Sequence, residues 1–401
     1  MPKPFISRAI IMGDSASDRG EMRATPFIGR LAFIGRGAPQ RGRFANKFNW
    51  ADIFASALYN KYLIHSHRSQ SQVCLDHADV SDSIITRRLS SALTLSSPYR
   101  VTFENIDLVR TYCVGGLTSV DYSQLSRISK LGYSLLHPIL GATRELLSNL
   151  TIQRGKILSD DAGNIVSDKI KAQTLIIEWS GANDLVTTNT RPTTDAADLA
   201  IAARLANIRT LVTNGYRNFR IFNLPNLADC PRFRKLEKSE LENADHISEY
   251  FNQKLALEVA ILEGILKTEY PDCNIQVFDV CDSFQGIKRR FESVEAAKFR
   301  AEHGVEPTPK ELETRVNKRL FWDDIHITSE AHAKLAGYFY SHFEKDYEFS
   351  SSTREPAPID EVSIASCRLM VTSWLKTTSD DHSSPTETVS ISLSSPVAHP
   401  D

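Results

Sequence analysis

Short β-branched and apolar runs alternate along this chain with longer segments whose apolar residues recur every three or four positions. The runs occupy residues 6–12 (ISRAIIM), 174–179 (TLIIEW), 219–224 (FRIFNL) and 275–280 (IQVFDV), and the first three stop at Gly13, Ser180-Gly181 and Pro225. Runs of this length bounded by turn residues predict strands. Between the second and third, residues 195–214 place Ile201, Leu205, Ile208 and Val212 on one helical face, and Gly215 follows where a C-terminal cap is expected. Between the third and fourth, Ile247, Phe251, Leu255, Leu262 and Leu266 form a second buried stripe. This alternation predicts a three-layer α/β/α sandwich around a central, mostly parallel sheet.

Three stretches depart from the pattern. Residues 65–97 are rich in Ser, His and Arg and read as a loop-rich insertion. Residues 287–320 are strongly charged and predict helical cover, a solvated surface helix in preference to a lid. From 348 to 401 the chain turns Ser-, Thr- and Pro-rich, a composition that buries too little apolar surface to offset chain entropy. A single domain over residues 1–347 is therefore expected, followed by a disordered tail in which residues 362–375 could form an amphipathic island.

Composition narrows the function classes. The 401 residues are 41% hydrophobic and 24% charged with a net charge of −2, so no global field favours nucleic acid or an anionic membrane. No run approaches the roughly 18–20 apolar residues of a membrane span, and the N-terminus lacks the apolar core and cleavage site of a secretory signal. The expected location is the cytoplasm, or outside the cell by a dedicated or non-classical bacterial route. Cys74, Cys113, Cys230, Cys273, Cys281 and Cys367 form no CxxC pair and no Cys/His cluster with ligand spacing, so they read as inert thiols and no metal is expected. Scattered histidines such as His65, His67, His137 and His332 read as surface or satisfied core residues.

Chemistry-bearing residues gather at the predicted strand ends. Gly13-Asp14-Ser15-Ala16-Ser17-Asp18 puts a serine just past a parallel strand, at the open edge of the sheet. Trp322-Asp323-Asp324-Ile325-His326 offers an imidazole with a carboxylate three residues earlier, able to hold Nδ1–H and leave Nε2 as a base. Gly181-Ala182-Asn183-Asp184 supplies a side-chain amide, and Cys113-Val114-Gly115-Gly116 supplies glycine N–H groups for close approach. Each segment alone is an ordinary polar turn.

In this order the four segments resemble the blocks of the SGNH hydrolase superfamily, the GDSL lipases and esterases, with Ser15, Gly116, Asn183 and His326 as the matching residues. The resemblance covers residues 5–345. It includes Gly42-Arg43-Phe44-Ala45-Asn46, similar to the family's GRFxNG segment, as well as Asn223-Leu224-Pro225 and Phe278-Asp279-Val280. Departures are Thr111 where the second block usually has Asn, Ala16 for Leu, Lys47 for Gly, and Ile327 where Pro follows the histidine. The match of Gly116 rather than Gly115 rests on aligning that block.

The resemblance implies a flavodoxin-like sheet, no cofactor and no metal. It also implies an acyl-enzyme on Ser15, with His326 as base and Asp323 as its orienter. The oxyanion would be held by the Ser15 and Gly116 N–H groups and the Asn183 amide. Asp324, with one residue between it and His326, is the less suitable orienter, and Ser17 is expected to cap the first helical turn rather than react. The GDSxSD and GRFxN details look most like the bacterial lysophospholipase and acyltransferase branch. That implies fatty-acyl or lysophospholipid esters as substrates and transient contact with a membrane surface. Competing expectations are a carbohydrate or small-ester deacetylase, a silent scaffold that binds an ester, lipid or protein, and a metal-dependent hydrolase.

Overall fold

The computed structural model describes residues 3–24, 42–55, 57–58, 93–94, 100–103, 106–124, 147–189 and 191–349. The insertion expected over 65–97, except residues 93–94, lies outside these, as do the tail from residue 350, Cys74, Cys367, His65, His67 and His137.

The chain enters through β1 (Phe5–Ile6), continues into β2 (Arg8–Gly13), and adds β3 (Leu93–Thr94), β4 (Arg100–Phe103) and β5 (Ile106–Thr111). The later strands are β6 (Thr174–Trp179), β7 (Asn218–Phe222), β8 (Asn274–Phe278) and β9 (Glu348–Phe349). The main sheet runs β3-β4-β5-β2-β6-β7-β8; β5 through β8 are parallel, and β3 and β4 extend it antiparallel. Numbered along the chain, the five parallel strands stand in the order 2-1-3-4-5, the flavodoxin-like arrangement. β2 is the strand at which the winding reverses, so a crevice opens where β2 and β6 end. Separately, β1 pairs with β9, and packing continues to Phe349, which is fully buried.

β2, β6 and β7 are buried along their whole length, whereas β8, at the edge of the sheet, is only partly buried. Two of the expected strands end earlier than their apolar runs. β7 stops at Phe222 and β8 at Phe278, while Leu224 and Val280 stay buried beyond the sheet. Asp279 caps the helix that Val280 opens, its side chain accepting the Asp282 N–H.

Helices cover both faces of this three-layer α/β/α sandwich. Thr194–Thr213 packs on Lys238–Lys267. Ile247, Phe251, Leu255, Leu262 and Leu266 are all buried there, each stabilising the fold by about 1.5–3 kcal/mol. On the other face Trp50 and Phe54 pack against Phe339 of the helix Ser329–Asp346. The charged stretch expected as one solvated cover is two helices, Val280–His303 and Pro309–Leu320, the second opened by a Thr308–Glu311 capping box. They bury Phe284, Ile287, Phe291, Val316 and Leu320, so this cover is part of the core. No helix among the described residues is long and apolar enough to cross a membrane.

Candidate functional site at the carboxyl ends of β2 and β6

Ser15 follows β2 by two residues. Gly13 has φ +147°, and a Cβ there would lie 2.2 Å from the Trp179 carbonyl oxygen of β6. Only glycine lets the two strands stay paired to their ends while the chain turns away. Ala16 N–H then donates to Asp14 Oδ1 (3.0 Å), which closes the turn that carries the Ser15 hydroxyl into the crevice.

His326 arrives on a tight loop between Phe321 and Ile327, closed by Trp322 N–H donating to the His326 carbonyl (2.8 Å). Asp323 Oδ1 accepts the N–H groups of Ile325 (2.9 Å) and His326 (2.6 Å), and its Oδ2 lies 2.8 Å from His326 Nδ1. With Nδ1–H donating to Asp323, Nε2 is the acceptor that faces the Ser15 Oγ at 2.9 Å. Burial opposes the charge on Asp323, but the His326 contacts outweigh it and hold the carboxyl at about 2. Asp324 is exposed, and its carbonyl accepts the Arg232 N–H (2.8 Å). The Phe44 ring covers the imidazole with centroids 5.0 Å apart.

Asn183 lies in the helix Ala182–Val186 directly after β6. Its Nδ2 donates to the Leu117 carbonyl (3.0 Å), and its Oδ1 accepts from Thr187 Oγ1 (2.6 Å), so the amide is fixed with one N–H to spare. Gly115 N–H is taken by Asp18 Oδ2 at 2.8 Å. Gly116, at φ +76°, has no acceptor for its N–H among the described residues and lines the same cavity. The structure thus brings Ser15, Gly116, Asn183, Asp323 and His326 to one place from four distant segments. The arrangement can deprotonate a hydroxyl and surround a developing oxyanion with donors.

Several residues that hold these segments together were not evident from the sequence. Asp18 accepts the N–H groups of Gly20 (2.8 Å), Glu21 (2.7 Å), Met22 (3.1 Å) and Gly115 (2.8 Å), tying the serine turn to the glycine segment. Burial nonetheless raises its carboxyl to about 6. Asp184 does the same for Ser119 N–H (2.7 Å) and Val120 N–H (3.1 Å), and Asn46 Oδ1 accepts Ser329 N–H (2.7 Å) beside the histidine loop. The available signal was position: Asp18 and Asp184 each follow a strand end within a few residues. Asp14 is pushed up to about 7, by burial first and then by the Glu178 and Asp184 charges.

Ser17 was expected to cap the first helical turn, but it is fully buried and accepts Trp50 Nε1–H (2.9 Å); Asp18 makes the cap instead. Lys47, where the motif has Gly, needs no left-handed backbone; its N–H donates to Ser329 Oγ (2.7 Å). Thr111, in place of the usual Asn, closes β5 with its hydroxyl buried and without a hydrogen-bond partner among the described residues. His332, expected as a surface or satisfied core residue, is buried, yet its Nδ1 has no hydrogen-bond partner among the described residues, and burial, then the His326 charge, lowers it to about 3.

The cavity in front of Ser15 has a volume of about 290 Å³. Its walls are largely apolar, with Val186, Leu224, Leu227, Val280, Phe284 and Leu335 among the lining residues. Cys230 also lines it, but burial pushes its thiol up to about 12, so it offers no competing thiolate.

Residues 10–339 match the family model described as GDSL-like Lipase/Acylhydrolase. The chain belongs to this family. Among curated proteins it is similar to a phosphatidylcholine-sterol acyltransferase from Aeromonas hydrophila, 23% identical over 278 residues, covering 59% of this chain and 74% of the relative. Among solved structures it matches a GDSL-like lipase from Parabacteroides merdae at 10% identity and a TM-score of 0.33, covering 85% of this chain and 98% of that one. That overlap is too loose to carry an argument. As a GDSL-family acylhydrolase the chain is a hydrolase that acts on esters.

Proposed function

We propose that this GDSL-family protein is a serine esterase that cleaves fatty-acyl or lysophospholipid esters through an acyl-enzyme on Ser15. The reading rests on one observation: Ser15 Oγ lies 2.9 Å from His326 Nε2, whose Nδ1 is 2.8 Å from Asp323. His326 takes the Ser15 proton as the hydroxyl attacks the ester carbonyl, then returns it to the leaving alcohol. Asp323 orients the ring and stabilises the imidazolium. The oxyanion is held by the Ser15 and Gly116 N–H groups and the spare Asn183 N–H. A water then releases the acyl group by the same steps in reverse roles.

The apolar walls support a lipid acyl chain over the acetyl group of a sugar deacetylase, because an acetyl leaves most of such a cavity uncovered. A second reading, transfer of the acyl group to an alcohol instead of water, is favoured by the Aeromonas hydrophila relative, a phosphatidylcholine-sterol acyltransferase. A panel of p-nitrophenyl esters from acetyl to palmitoyl, beside lysophosphatidylcholine with and without an added alcohol, tests both. Turnover should rise with chain length and vanish in Ser15→Ala. A sharp preference for acetyl would overturn the lipid assignment, and acyl product on the added alcohol would favour transfer.

A further inference from the structure

The cavity wall carries one feature that ester cleavage does not use. Arg232, on the short helix Pro231–Arg234, lines the cavity together with Ser15 and His326. Among the described lining residues it is the sole permanent cation; the other ionisable groups there are Asp14, Cys230 and the two histidines. Its backbone is anchored to the histidine loop by the N–H donated to the Asp324 carbonyl (2.8 Å), and its Nη2 donates to the Val186 carbonyl (3.2 Å). That second bond holds the guanidinium without neutralising it.

Neighbouring cations behave differently. Arg234, two residues on, pairs with Asp229 and Glu313, and Lys288 also pairs with Asp229. Arg232 has no carboxylate within 4.0 Å among the described residues, although the same stretch of chain is rich in acids. A guanidinium held at the rim of an apolar cavity with its charge unspent is suited to an oxyanion, which its planar donors bind in a two-pronged fashion.

Resting on the esterase reading above, we infer that Arg232 binds the phosphate of a lipid ester's headgroup while the acyl chain lies along the apolar wall and the ester carbonyl meets Ser15. The shared chemistry is a phosphate monoester or diester. The site therefore discriminates among esters by headgroup charge as well as by acyl length, and a neutral monoacylglycerol forgoes this contact.

The test compares wild-type protein, Arg232→Gln and Arg232→Lys on lysophosphatidylglycerol and on monoacylglycerol of the same acyl chain. The KM ratio of the two substrates is the readout. Arg232→Gln should shift that ratio against the phosphate-bearing ester by about tenfold, through KM rather than kcat, and Arg232→Lys should restore part of it. An unchanged ratio in Arg232→Gln, with both esters still cleaved, would overturn the phosphate site and leave the esterase reading intact. Failure of the wild-type protein to cleave any ester would overturn both. Glycerol 3-phosphate, added to the monoacylglycerol assay, separates the two sources of phosphate. Competition no stronger than in Arg232→Gln supports the lipid headgroup; competition matching that of the lysolipid, and lost in Arg232→Gln, would assign the site to a free phosphate ester and overturn the lipid assignment.

Discussion

Replacing Asn183 by Ala tests the proposed oxyanion site separately from the proposed nucleophile. The amide has two bonds inside the protein, to the buried Leu117 carbonyl at 3.0 Å and from Thr187 at 2.6 Å. Losing them costs about 1–3 kcal/mol of stability, softened slightly because alanine favours the helix Ala182–Val186. For a domain of this size that is a fall in Tm of a few degrees, with the protein still folded at 25 °C. The catalytic loss is larger. In the proposed mechanism the spare Nδ2–H meets full charge only when the carbonyl oxygen becomes an oxyanion, and removing one such donor costs about 3–4 kcal/mol of transition-state stabilisation. That converts to a kcat lower by on the order of 10²–10³-fold, with KM nearly unchanged because the ground-state carbonyl gains little from the same bond. Steady-state kinetics on p-nitrophenyl butyrate, with a melting curve alongside, reads both numbers. A kcat within threefold of wild type in the folded variant would refute Asn183 as an oxyanion donor.

Two further outcomes follow from the same geometry. Asp323→Asn should lower kcat by roughly 10⁴-fold, since an amide no longer selects the tautomer that leaves Nε2 basic, whereas exposed Asp324→Asn should change it little; equal losses in parallel assays would refute the assignment of the orienter. Asp14, raised to about 7 from 3.8, is protonated in the fold at pH values where the unfolded chain has lost that proton, so its contribution to stability is complete below about pH 4 and disappears as pH rises through 7. The Tm of Asp14→Asn relative to wild type should therefore climb between pH 4 and pH 8, and a difference flat across that range would contradict a buried, proton-holding Asp14.

Much of the fold was written in hydrophobic pattern, because β6 and the helices Thr194–Thr213 and Lys238–Lys267 bury near-continuous or regularly spaced apolar residues. The pattern failed where charge sits inside. β5 was not recognised as a strand because Asp107 and Arg110 interrupt it, and Arg110 is in fact buried, sharing Asp161 with Arg8 at 3.0 and 3.2 Å. Arg204 is likewise buried on the predicted apolar face, where its Nε donates to Glu178 Oε2 (2.6 Å), while the expected Leu205 is only half-buried. Such pairs are invisible along the chain, since each partner comes from a different strand or helix. Strand ends ran long at Leu224 and Val280 for the opposite reason: both are apolar because they face the cavity rather than the sheet.

The residues that the structure gathers at the candidate site were legible, since a serine after β2, an amide after β6 and a histidine with an aspartate three residues earlier are local signals. The supports were not. Asp18 reaches Gly115 across 97 positions, and Arg232 meets the cavity through a four-residue helix with no pattern of its own.

The most direct measurement is labelling with a fluorophosphonate probe followed by peptide mass mapping, because only a serine activated by a neighbouring base reacts quickly. The account predicts one adduct, on Ser15, absent from Ser15→Ala and formed at least a hundredfold more slowly in His326→Ala. An adduct on Ser17 or another residue, or undiminished labelling of Ser15→Ala, would contradict it.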